Sequence, residues 1–448
     1  MAPRKTIFAL LLLLILMTLC RLAPIRSGLA AAQEDWFRTG TGLGAERVKL
    51  AVPEFIARSP QAAPLAKVFN QTLKADLEYA GIFEVSSSSF YPLKQPATPS
   101  EVTAADWSEP PLQAHVLVLG NLSTEANQLI VEAWALDVRN ARLPEIVGKR
   151  YRDLPAEEAA RRLAHQFADQ IVVRLGGGVP GIHSTRIVFI SNRSGSKELW
   201  ICDYDGSNPK QLARLRSISL APKWSPDGLR IAFSSKVGNN WEVQIFSLET
   251  GKLLAFPHYR GLNTTPAWSP DGLQIIFCSS MSGDPELYLV DWNGTNLKRL
   301  THVRGVEISP AFNPKTGGQI AFVSDRGGSP QIYMMDRDGA NVQRIAGGEG
   351  YVVDPSWSPN GQLLAFSWRR PNGNYDMYVM DVATREARQL TRDAGRNEHP
   401  SWAADGRHLV FQSNRTGSWQ LWTMLADGSL PRQITQGGTN EAPNWGPP

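Results

Sequence analysis

One short motif recurs six times in the C-terminal part of the chain and fixes what it can fold into. Its copies are Pro222-Lys-Trp-Ser-Pro-Asp-Gly228, Pro266-Ala-Trp-Ser-Pro-Asp-Gly272, Pro310-Ala-Phe-Asn-Pro314, Pro355-Ser-Trp-Ser-Pro-Asn-Gly361, Pro400-Ser-Trp-Ala-Ala-Asp-Gly406 and Pro443-Asn-Trp-Gly-Pro447. Successive prolines lie 44, 44, 45, 45 and 43 residues apart. A period of roughly 40–50 residues built from short strands is the signature of a β-propeller with one blade per repeat. Each unit predicts a strand ending in the aromatic and a Pro/Gly turn. A dense β run such as Ile231-Ala-Phe-Ser234 follows, then a third strand closed by an Asp-x-x-Gly turn. The fourth strand is short and polar, as suits an outer edge.

The sixth copy is followed by no second, third or fourth strand, whereas Arg186–Ser191, Glu198–Cys202 and Lys210–Leu212 supply such strands before the first copy. The reading is ring closure, with the C-terminal segment as the inner strand of the blade that opens the domain. The expected fold class is mainly β: a six-bladed β-propeller over residues 182–448 with a small N-terminal α/β domain.

Residues 47–175 lack the repeat. Val48, Leu50 and Val52 alternate as a strand, and Val116–Leu119, Gln128–Val138 and Ile146–Tyr151 continue a sheet. Leu65, Val68, Phe69, Leu73 and Leu77 share one helical face, and Leu163, Phe167, Ile171 and Leu175 another. Residues 176–181, Gly-Gly-Gly-Val-Pro-Gly, form a linker; no strand–Gly-x-Gly-x-x-Gly–helix context makes them a phosphate loop. Residues 1–32 read as a cleavable signal peptide, with Arg4 and Lys5 before an apolar run and small residues at 30–32; an uncleaved anchor is the alternative. Residues 33–46 form a polar, Gly-rich segment carrying Trp36, Phe37 and Leu43, which reads either as a solvated terminus or as a segment that orders on binding.

The formal charge of +4 comes from 46 Lys and Arg against 42 Asp and Glu. Four of those cations, Arg4, Lys5, Arg21 and Arg26, sit in the leader without an acid, so the mature chain is balanced. Nucleic-acid binding driven by bulk charge is not expected. The remaining cysteines, Cys202 and Cys278, fall in blades that are not adjacent and are expected to pack as small apolar residues. No Gly-x-Ser-x-Gly, His-Glu-x-x-His or Cys-x-x-Cys occurs, and turns such as Asp203-Tyr-Asp-Gly206 lack the full calcium-loop ligand set. No catalytic residue and no cofactor are assigned. A cation in the channel is left open, without a residue set to specify it.

The tight turns lie on one face of the ring and leave the varied connections on the other, which is the expected binding face. It carries Leu262, Asn263, Thr264 and Thr265, then Glu307 and Ile308, Asp354, Arg396, Glu398, His399 and Glu441, with Arg193, Arg326, Arg370 and Arg415 from the companion loops. Each arginine alone reads as a solvated loop charge, and His399 as a hydrogen-bonding residue opening a strand. The ensemble around the channel mouth carries the claim. Glu307, Asp354, Glu398 and Glu441 also support an alternative, a carbohydrate- or peptide-binding or hydrolytic propeller, if their carboxylates pair at the right separation.

The order of leader, small α/β domain and propeller, with the Trp-Ser-Pro-Asp-Gly repeats, the terminal Pro443-Asn-Trp-Gly-Pro447 and the segment Ala51-Val-Pro-Glu-Phe55, resembles the TolB family. The resemblance spans essentially the whole mature chain. It implies a non-enzymatic, monomeric periplasmic protein of the Tol–Pal envelope system, with no transmembrane segment in the mature chain. It implies that the channel mouth receives the lipoprotein Pal, with Leu262, Thr265 and Ile308 among the contacts. It further implies that the N-terminal segment, with Glu34, Trp36, Phe37 and Leu43, engages the inner-membrane protein TolA, in support of outer-membrane integrity and cell division.

Overall fold

The computed structural model describes residues 46–448. The N-terminal domain is a mixed sheet of β1 (Val48–Ala51), β2 (Ile56–Ala57), β3 (Phe83–Val85), β4 (Val116–Glu125), β5 (Gln128–Asp137) and β6 (Glu145–Asp153). Its order is β3-β1-β4-β5-β6, with β2 beside β4. Helices α1 (Ala63–Tyr79) and α2 (Glu157–Leu175) pack on the sheet and bury Phe69, Leu73, Leu77, Phe167 and Ile171. α2 opens on Glu157 and Glu158 and closes on Arg174, each charge opposing the helix dipole end it sits on. The strand expected to run through Val52 stops pairing at Ala51. Pro53 has no N–H to give, and Phe55 instead turns into the core, its N–H donating to Asn70 Oδ1 at 2.9 Å.

The propeller has six four-stranded blades. Blade 1 pairs the C-terminal strand Asn440–Trp445 with Arg186–Ser191, then Glu198–Asp203 and Lys210–Gln211. The closing register runs Asn440 with Ser191, Glu441 with Ile190, Asn444 with Val188 and Trp445 with Ile187. Blades 2 to 6 begin at Ser219, Asn263, Glu307, Tyr351 and Asn397. Every second strand buries one phenylalanine completely: Phe189, Phe233, Phe277, Phe322, Phe366 and Phe411. Cys202 and Cys278 are free and buried.

The motif residues divide the work. In Ser225-Pro-Asp-Gly228 the Ser225 hydroxyl accepts the Arg230 N–H at 2.9 Å, Asp227 accepts the Leu229 N–H at 3.0 Å, and Gly228 takes φ +69° to close the turn. The tryptophan ties one blade to the one before. Trp224, Trp268, Trp357 and Trp402 donate their indole N–H to the carbonyls of Asn444, Lys223, Ala311 and Ser356 at 3.0 to 3.2 Å. Trp445 donates instead to Thr185 Oγ1 at 2.7 Å, and Phe312 has no donor to offer.

The motif's first proline also shapes the channel. It cannot donate to the ladder, and the register of all six inner strands shifts there. The residue before it, Ala221, Thr265, Ser309, Asp354, His399 or Ala442, takes φ between +48° and +57°. That turn sends backbone N–H groups across to the neighbouring blade, as from Thr265 to Ser234 Oγ at 3.0 Å and from Ala442 to Gln412 Oε1 at 2.7 Å.

Candidate functional site

The N-terminal domain sits on the tight-turn face, against blades 1 and 6. Arg161 of α2 pairs with Asp205 in the Asp203–Gly206 turn, and Arg407 donates to the Gly176 carbonyl at 3.0 Å. The centre of this contact is polar and buried. His165 Nδ1 meets Asp76 Oδ2 at 2.7 Å, and the Tyr204 hydroxyl donates to the other Asp76 oxygen. His183 lies between Asp169 Oδ1 at 2.8 Å and the Asp76 carbonyl at 3.1 Å. His408 lies between Asp405 Oδ2 at 2.5 Å and the Tyr79 carbonyl at 2.9 Å. Asp76 and Tyr79 lie in the last turn of α1, so two imidazoles bond carbonyls at its C-terminal end; that of Asp76 also accepts the Ala80 N–H at 3.0 Å. Burial alone would depress the His183 imidazole, but the Asp76 and Asp169 carboxylates outweigh it and hold it at about 8. The sequence reading missed this cluster. Its one visible signal is a break in the repeat: the fifth copy of the turn reads Ala403-Ala-Asp-Gly406, and its second strand opens on His408.

The opposite face is open, and it holds the residues expected to bind. The structure gives several of them internal partners. Asn263 is buried, taking the Ser279 hydroxyl at 2.7 Å and donating to the Tyr259 carbonyl at 2.7 Å. Glu307 is fully buried against Ser324 and Arg326, at 2.6 and 2.8 Å. Glu398 is buried between Arg396 at 2.8 Å and Gln412 at 3.2 Å. Asp354 faces His399 Nδ1 at 3.3 Å, and Glu441 pairs with Lys197. Every one of the four candidate acids therefore has its own basic neighbour.

The arginines are likewise engaged. Arg326 lies over Phe322 and Tyr333, Arg370 over Trp368 and Tyr378, and Arg415 over Phe411 and Trp422. Arg415 also donates to Asn397 at 2.7 Å, and Arg193 to the Gln436 carbonyl at 2.8 Å while covering Trp200. These cations lock loops onto blade tops. Replacing Arg326 with Met leaves the Glu307 carboxylate buried without its cation. We expect a loss of about 3 kcal/mol in urea unfolding; an unchanged midpoint would show Arg326 to be a free surface charge.

A further ring escaped the sequence reading. The third strands of the blades carry Glu198, Glu242, Glu286, Gln331, Asp376 and Gln420 within their first three residues, all buried and recurring with the repeat. They hold the connections that lead into the next blade. Glu286 accepts the Val303 N–H at 2.7 Å, and Gln420 donates to the Gly438 carbonyl at 2.9 Å. Desolvation raises the carboxyls of Glu242, Glu307 and Asp376 above their ordinary range.

What stays exposed on this face is partly apolar. Leu262 reaches solvent at the start of blade 3, as do Ile218, Leu220 and Val237 of the neighbouring blade 2. Val237 belongs to a hairpin with a two-residue turn, Arg230–Val237 with Asn240–Ser247. Ile308 is half-buried against the blade 3–4 core, and Thr264 is half-buried too. Thr265, Asp354 and His399 line the channel mouth itself, a cavity of about 70 Å³. Among the described residues, no group of three or more His, Cys, Asp or Glu is placed to hold a metal ion. Glu34, Trp36, Phe37 and Leu43 lie outside the described residues, as does the leader.

Comparison with known proteins matches both domains in order. The TolB β-propeller domain model matches residues 174–370 and 345–448, and the TolB amino-terminal domain model matches residues 41–143. The chain is 34% identical to the Protein TolB homolog of Chlorobium chlorochromatii over 209 residues, 47% of this chain and 46% of that protein. It is 32% identical to the Tol-Pal system protein TolB of Desulfosudis oleivorans, over 46% of each. The match thus spans about half the length of these curated relatives. The crystal structure of TolB from Acinetobacter baumannii superposes with a TM-score of 0.75 at 26% identity, covering 90% of this chain and 97% of that one. An N-terminal α/β domain seated on the tight-turn side of a closed six-bladed ring, matched by both domain models, places the chain in the TolB family.

Proposed function

We propose that the chain is a non-enzymatic periplasmic component of a Tol–Pal system, which docks a Pal-like lipoprotein domain on the open face of its propeller. One observation carries the reading most directly. The N-terminal domain occupies the tight-turn face, and the face left free surrounds the channel with an exposed apolar sector, Ile218, Leu220, Val237 and Leu262. Apolar side chains grouped on an otherwise polar rim mark a protein-docking surface. A Pal-like partner is what membership in the TolB family suggests. The segment 33–46 would engage a TolA-like inner-membrane protein, and the pair of contacts would serve outer-membrane integrity and cell division. Export by the leader fits this compartment, and no helix among the described residues is long and apolar enough to cross a membrane.

Titrating the purified protein with the cognate Pal-like domain in a calorimeter tests the reading. Leu262→Asp, at an exposed position, should leave stability within about 0.5 kcal/mol and weaken binding at least ~10-fold. Absence of binding by the parent protein overturns the reading.

A further inference from the structure

Two cavities meet along the channel near the second motif residue of the inner strands. Around the ring those residues are Lys223, Ala267, Ala311, Ser356, Ser401 and Asn444, so Lys223 is the one charged residue at this level. Lys223 lines both the 70 Å³ cavity at the mouth and the larger cavity of about 340 Å³ below it, which places its chain at the waist between them. Protein surrounds it on all sides, and only the open axis leaves it partly accessible. Its Nζ makes no hydrogen bond or ion pair among the described residues.

The other charged groups nearby are better served. Asp354 holds His399 at 3.3 Å and accepts the Ser367 hydroxyl at 3.2 Å. Enclosure disfavours the charged form of Lys223, and Asp354 offsets this only in part. An enclosed ammonium without an acceptor is costly and becomes favourable once a negative group replaces its lost water. A water takes roughly 30 Å³ in the liquid, so the mouth cavity has room for a group of carboxylate size.

Resting on the docking function above, we propose that Lys223 makes the channel waist an anion seat that receives a carboxylate side chain from the protein docked on the rim. A chain entering along the axis places its oxygens on Nζ, with the His399 ring beside the path.

Lys223→Met keeps an unbranched side chain one atom shorter, removes the charge and leaves no partner group unpaired. Calorimetric titration with the cognate Pal-like domain should show affinity reduced by roughly ten- to a hundred-fold, the range for a charged hydrogen bond. Substituting the acidic residues of that domain one at a time should find one whose loss costs nothing further in the Lys223→Met background. Equal affinity of parent and variant overturns the anion seat and leaves the docking function standing. If the parent does not bind that domain, ¹³C-formate serves as the probe. Line broadening by the parent that Lys223→Met abolishes supports the seat, and equal broadening by both proteins overturns it.

Discussion

Removing residues 440–448 lowers the thermal unfolding midpoint by at least about 10 °C and broadens the transition. The deleted strand supplies the whole inner edge of blade 1, paired from Asn440 to Trp445 with Arg186–Ser191. Trp445 is 5% exposed, and its indole donates to Thr185. The Trp445 backbone N–H also donates to Ser401 Oγ of blade 6, at 3.0 Å. Truncating a buried tryptophan alone costs about 3–5 kcal/mol, and each kcal/mol shifts the midpoint of a domain this size by roughly 2–4 °C. Loss of the strand adds an open, apolar edge on blade 1 facing an unmatched blade 6, which invites association between molecules. Calorimetry together with light scattering reads both effects. A shortened chain that melts in one cooperative step at the parental temperature means that the ring does not depend on its C-terminal clasp.

Raising the pH from 6.5 to 9 loosens the grip between the two domains. Both nitrogens of His183 face acceptors, the Asp169 carboxylate and the Asp76 carbonyl, and a carbonyl can only accept. The doubly protonated ring is the form that fits. Asp76 from α1, Asp169 from α2 and Asp405 from blade 6 face it with negative charge, and the Tyr204 ring of blade 1 packs edge-on at 5.1 Å. The folded interface holds the proton more tightly, at about 8 against an ordinary 6.5. The stabilisation is therefore complete below about pH 6.5 and is lost as pH climbs through 8. A displacement of that size corresponds to about 2 kcal/mol. Urea unfolding should fall by that amount between pH 6.5 and 9. Amide exchange should quicken at the end of α1, where Ala80 N–H bonds to Asp76. His183→Gln should flatten the pH profile; a parent protein with no slope in this window removes the charged imidazole from the interface.

The propeller was legible because its repeat is written in residues with narrow conformational uses. Proline, the aromatic two positions on, and the Ser-Pro-Asp-Gly turn each have one structural job, and their period counts the blades. Ring closure was legible for the same reason, since the unpaired last copy had to find the strands that precede the first. The N-terminal helices followed from their apolar spacing and appear as α1 and α2. The stop at Ala51 was not legible, because only the burial of Phe55 decides that the chain leaves the sheet there.

The varied loops were placed on the side of the ring opposite the tight turns, where the structure has them, but the side-chain roles within them were not legible. Glu307, Glu398, Arg326 and Arg415 look like surface charges in the sequence, and each is consumed by a neighbour that lies in another strand or loop. Sequence alone determined the number of blades, the side on which the tight turns lie and the chain segment that closes the ring, since these follow from local backbone chemistry repeated at a fixed interval. Tertiary structure alone decided which charges are spent inside, which histidines clasp α1 and why Lys223 stands unpartnered in the bore. Hydrogen bonding and desolvation depend on neighbours brought together from distant positions, such as His408 and Tyr79, and no local pattern records those meetings.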